Sequence, residues 1–130
     1  MKNNAFENDY ARGWCENDVM YAEFKTPVMD LAAAKESVSA RLNAAEGKDY
    51  VFLIDATRVN SITKEARDYL ASDEGSQQII ASALVIDSKV GKLLGNFFLQ
   101  INKPKIPLKL FTNKTDALDW LNIMNREKRS

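Results

Sequence analysis

Tyr50-Val51-Phe52-Leu53-Ile54-Asp55 decides the fold. The run is rich in aromatic and β-branched residues and too short for an independent helix, so it reads as a strand. It is apolar at both alternating positions, as expected of a central strand covered on both faces. Asp55 closes it at the carboxyl end, where open α/β sheets place their sites. A second run, Ala83-Leu84-Val85-Ile86-Asp87, repeats the pattern and is expected to pair with the first in parallel.

Outward from this centre the chain alternates. Phe6 to Phe24 has strand-like spacing broken by Glu16-Asn17-Asp18, a turn signal, so a hairpin is expected with strands near 8–15 and 18–25. Residues 1–5 are polar and expected to fray. In the second hairpin strand Val19, Tyr21 and Glu23 share one face, and Met20, Ala22 and Phe24 the other. A helix is expected over 29–46, with Asp30 in its first turn, Gly47 after its end and Leu31, Ala34, Val38, Leu42 and Ala45 as the buried stripe. Lys35, Glu36 and Arg41 lie off that stripe.

Beyond the central strand, 56–62 reads as a loop and Thr63 as the N-cap of a second helix carrying Ala66, Tyr69 and Leu70 inward. A short helical turn is expected around 76–81. After the 83–87 strand, Ser88 caps a helix over 88–102 with apolar residues at Val90, Leu93, Leu94, Phe97, Phe98 and Ile101. Pro104 and Pro107 keep the next segment from becoming helix. Leu108–Thr112 is the last strand, and a final helix over 114–126 buries Ala117, Leu118, Leu121 and Met124, with Trp120 at the edge. The order ββα, βα(α), βα, βα implies one α/β domain over 1–130: a mixed sheet with an N-terminal β-hairpin, parallel central strands and helices packed on it.

Composition narrows the chemistry. Lys plus Arg equals Asp plus Glu at 18 each, which argues against nucleic-acid binding by a concentrated positive face. No run approaches a membrane span, and the polar N-terminus has no apolar leader core. The single Cys15 cannot form an internal disulfide. A cytoplasmic protein is expected. The chain has no His, the commonest general base and neutral metal ligand, so neither a metal, a cofactor nor an enzyme is expected.

The pattern resembles the bacterial SpoIIAA-like, or STAS-like, domains. The resemblance rests on Val51–Asp55, Thr63-Lys64-Glu65-Ala66-Arg67, Ala83–Asp87, Gly95-Asn96-Phe97-Phe98, Leu110–Thr112 and Ala117–Leu121. It implies the same fold and a role in regulation through protein contacts. Regulatory members of that kind carry an Asp-Ser-Ser-Gly-like stretch after the strand-ending Asp, whose serine is phosphorylated and controls docking to a kinase-like partner. Here Thr63 stands in the Asp position and Lys64 in that of the serine, so the phospho-switch does not carry over.

Two surfaces follow. Asp55, Arg58, Ser61, Thr63, Lys64, Arg67, Ser88 and Lys89 are expected near one sheet edge, with two helix N-termini, as an interaction surface for a protein partner. Asp55 and Asp87 are each expected to accept hydrogen bonds from the segment that follows. Gly91 and Gly95 share a helix face with Leu94 and Phe98 and suggest a groove for self-association, as a homodimer, or for a ligand. The expected function is a non-enzymatic regulatory or protein-interaction module. The alternative is a binding protein for a small anionic or amphiphilic ligand. A closed apolar pocket favours the ligand, and a flat exposed patch favours the protein partner.

Overall fold

A computed structural model of the protein describes residues 3–87 and 106–129. Its centre is the expected strand, Tyr50–Asp55 (β5), with Val51 and Leu53 almost wholly buried. The hairpin forms from Ala11–Glu16 (β2) and Val19–Phe24 (β3), which pair antiparallel. Asn17 and Asp18 make its turn, both at positive φ (52° and 65°), as a two-residue turn with native twist requires. Trp14 and Tyr21 face each other across the pair, rings stacked with centroids 5.3 Å apart.

β3 pairs parallel with β5, and β5 parallel with Ile79–Val85 (β7), which pairs parallel with Leu108–Phe111 (β8). The N-terminus does not fray along its length: Asn3–Glu7 (β1) adds antiparallel to β2. The six-stranded order is β1-β2-β3-β5-β7-β8. Two more short strands, Val28–Met29 (β4) and Ser61–Ile62 (β6), pair parallel with each other; the second lies in the segment read as loop, and the first takes Met29 from the expected helix start.

Helices cover both faces. Leu31–Ala45 (α1) starts at Asp30, whose carboxylate accepts from the Ala33 amide at 2.9 Å, and ends where Glu46 and Gly47 turn left-handed. Lys64–Leu70 (α2) is capped by Thr63, which accepts from Ala66 N at 3.1 Å. These two helices pack on the sheet face that carries Met20, Ala22, Phe24, Phe52 and Leu84. Lys114–Arg129 (α3) packs on the opposite face, placing Ala117 and Leu121 against Val51, Leu53, Ala83 and Val85. The alternation expected of β3 holds: its even residues face α1, and Val19 and Tyr21 face the α3 side.

Two expectations are corrected. Of the segment expected as a helical turn, 76–78 is a non-helical turn with Gln78 at φ 64°, and β7 begins at Ile79 rather than at 83. On α1 the buried residues are Ala33, Ala34, Ser37, Val38, Arg41, Ala44 and Ala45, so Arg41 belongs to the inner face. The expected helix over 88–102, with Ser88, Lys89, Gly91, Leu94, Gly95 and Phe98, lies outside the described residues, and so does the homodimer contact assigned to it.

Candidate functional site

The residues expected to share one edge divide between the two sides of the sheet. Asp55 points to the α3 side. Its Oδ1 accepts from the Thr57 amide at 3.0 Å and from the Thr57 hydroxyl at 2.7 Å, and Lys114 Nζ lies 3.6 Å from Oδ2. Burial alone would raise this carboxyl. The two Thr57 hydrogen bonds and the Lys114 ammonium outweigh it, so the group is held below the usual carboxylate range. Arg58 leans on Glu23 at 3.7 Å, and Glu23 also accepts from Arg12 at 3.0 Å. The result is a rim on which the neighbouring carboxylates Glu23 and Asp55 are met by Arg12, Arg58 and Lys114.

On the other side, Ser61 pairs with Val28 in the small sheet, Thr63 serves as helix cap, and Lys64 pairs with Asp68 one turn on at 2.9 Å. Arg58 and Lys64 are largely exposed, and such pairs contribute little to stability. Asp87 is exposed, two residues beyond β7. Ser88 and Lys89 lie outside the described residues. The edge is therefore a self-neutralised rim rather than one convergent cluster of cations.

The concave feature lies elsewhere, between the sheet and the α1–α2 layer. It is an apolar cavity of about 110 Å³. Its sheet side is Ala22 and Phe24 of β3, Phe52 and Ile54 of β5, and Ser82 and Leu84 of β7. Ser37, Val38 and Arg41 of α1 face it, with Arg67 and Leu70 of α2; Ile106 and Leu108 also line it. Arg67, expected at the rim, is thus a cavity residue.

Two of the polar residues along this wall belong to α1, and sequence reasoning missed both. Arg41 is 3% exposed. It donates through one terminal nitrogen to the Gln77 carbonyl at 2.9 Å and through the other to the Gly75 carbonyl at 3.2 Å, and lies 5.4 Å from the centre of the Phe52 ring. Burial lowers its pKa to about 10, so it is still a cation at neutral pH. Among the described residues no carboxylate lies in ion-pair range of it. Ser37, one turn earlier, is 6% exposed, and its hydroxyl has no hydrogen-bond partner. The signal was present: Ala33, Ser37, Arg41 and Ala44 continue one face at helical spacing, but an arginine was assigned to solvent by type.

No group of three or more His, Cys, Asp or Glu side chains that could hold a metal occurs among the described residues, and no described helix is long and apolar enough to cross a membrane. Cys15 is buried, with its sulfur 3.5 Å from that of Met20.

This sheet order, with helices on both faces, defines a SpoIIAA-like α/β fold. It is shared with the crystal structure of an uncharacterized protein of the DUF3478 family from Shewanella loihica PV-4, described as having a SpoIIAA-like fold. The match has a TM-score of 0.60 at 18% identity and covers 89% of this chain and 98% of that one. The chain itself belongs to the DUF7793 family, a domain of unknown function, whose model matches residues 13–125. No curated protein matches it.

Proposed function

We propose that this chain is a non-enzymatic binding module that holds a small anionic or amphiphilic ligand in the cavity between α1, α2 and the sheet. The observation that carries this is the apolar cavity itself, with Arg41 among its lining residues. Ligand sites are characteristically apolar hollows with a few placed polar groups. The charged rim supports the protein-docking reading less well. Arg58, Lys64 and Lys114 each lean on a carboxylate of this chain, and the large exposed apolar residues among those described, Val28 and Ile123, make no continuous patch. The non-enzymatic part is supported by the lack of His and by the strand-ending Asp55 being tied to Thr57 and Lys114. The single cysteine, buried and unbridged, supports a cytoplasmic setting.

Thermal melting against a panel of small amphiphiles tests the reading. A binder raises Tm in proportion to its occupancy of the folded state. The rise is expected to vanish in Ala22→Leu, which fills the cavity from β3, while that variant keeps its own cooperative melt. A panel without a Tm shift refutes the reading, and so does a shift that survives Ala22→Leu. Turnover in a hydrolase and transferase screen, lost in a folded Asp55→Asn protein, would overturn the non-enzymatic assignment.

A further inference from the structure

We propose that only a hydrocarbon tail enters the cavity, an alkyl segment of about five carbons, and that the ligand's polar head stays outside it. This rests on the cavity being a ligand site and specifies which part of the ligand that site reads.

The chemistry of the described wall comes first. Ala22, Phe24 and Ile54 line it from the sheet with Leu84, and Val38 faces them from α1. The polar side chains among them are turned elsewhere. Arg41 donates to the carbonyls of Gln77 and Gly75 and lies against the Phe52 ring. Ser76 donates its hydroxyl to the Ser72 carbonyl at 2.7 Å. The Ser37 oxygen is buried within the wall rather than open to the space. A charged or hydroxylic head placed here would exchange water for hydrocarbon, which is unfavourable. An alkyl chain meets the opposite balance. Apolar hollows stay dry and take up apolar molecules, and the lining atoms gain dispersion contacts when a chain fills the space.

Volume sets the length. The cavity, about 110 Å³, is smaller than the roughly 150 Å³ that accepts benzene, so it holds about five carbons. Recognition by burial alone has a signature that a charged site lacks. Each methylene that enters tightens binding about four-fold, and the gain stops when the space is full. The head makes little difference throughout.

The test titrates the full chain with primary alcohols from propan-1-ol to nonan-1-ol, following methyl NMR signals of Val38, Ile54 and Leu108. Affinity is expected to rise about four-fold per methylene up to about five carbons and then to level off. Hexan-1-ol, hexanoate and hexylammonium are expected to agree within about five-fold, because their heads remain in water. Ala22→Val, which thickens the wall from β3, should bring the plateau forward by about one to two carbons. Leu84→Ala, which hollows it from β7, should set the plateau back by about two to three. Should Leu84→Ala fail to fold, Ala22→Val carries the test. Saturable shifts with a head preference wider than about five-fold, with no plateau, or with a plateau unmoved in Ala22→Val, overturn the inference and leave the cavity reading standing. If no probe moves these methyls, the cavity reading falls together with the inference.

Discussion

Replacing Leu53 by Ala removes an isobutyl group's outer carbons from the most enclosed point of the sheet. Leu53 is 1% exposed, in register with Tyr21 on one side and Ala83 on the other. Above it α3 contributes Ala117 and Leu121, both fully buried. The transfer loss alone is about 2.4 kcal/mol, at about 0.8 kcal/mol for each buried carbon. Ala83 and Ala117 are too small to collapse into the gap, so a cavity term adds to it, and the expected cost is roughly 2–5 kcal/mol. Urea unfolding followed by circular dichroism measures this, with the slope m unchanged because the same surface is exposed. In a thermal scan each kcal/mol should lower Tm by roughly 3–5 °C for a domain of this size. Ile123→Ala, at a 45% exposed position on α3, serves as the control and should stay within about 0.5 kcal/mol. A loss below about 1 kcal/mol for Leu53→Ala would refute the central placement of β5.

Gly13→Ala should destabilise by about 1–3 kcal/mol in the same assay, because a Cβ there would collide with the Tyr21 carbonyl oxygen of β3 and the Phe6 ring of β1; a neutral result would mean that β1 and β3 do not approach β2 so closely at this point. Asp55→Asn should flatten the acid limb of the stability curve. The folded carboxyl is held low, so the unfolded chain takes up its proton first as pH falls. Its stabilisation is complete above the unfolded value of about 4 and drains as pH drops through the folded one. Urea midpoints at pH 6, 4 and 3 that fall equally in both proteins would contradict this.

The central strands, the hairpin, both well-capped helices and the final helix were legible because each is decided by local pattern. Asn17-Asp18 tolerates the left-handed turn, Asp30 and Thr63 cap, and Ala117, Leu121 and Met124 repeat at helical spacing. What was missed depends on distant partners. β1 has Phe6 as its one large apolar residue, and only the ladder to β2 makes it a strand. β4 and β6 are two residues each and exist through one another, with Ser61 N donating to the Pro27 carbonyl nearby. The turn before β7 read as helix because its composition allows one; Arg41, far away in sequence, holds the carbonyls of Gly75 and Gln77 in place and so lets β7 start at Ile79.

That clamp explains why an arginine is buried on α1, but it does not explain the whole arrangement. A structural role needs the two carbonyl bonds and the Phe52 ring, and Arg41 has them. It does not need a hydroxyl one turn earlier that bonds to nothing, or an open apolar space beside it. A core selected for stability alone would place Ala at position 37, which removes the desolvation cost of the hydroxyl and loses no bond. It would also fill the space beneath, since each unfilled methyl-sized void costs on the order of 1 kcal/mol. The unpartnered hydroxyl, a cation with no carboxylate in ion-pair range among the described residues, and the cavity beside them are three costs of the same sign. Such costs concentrate where a fold reserves room for something other than itself.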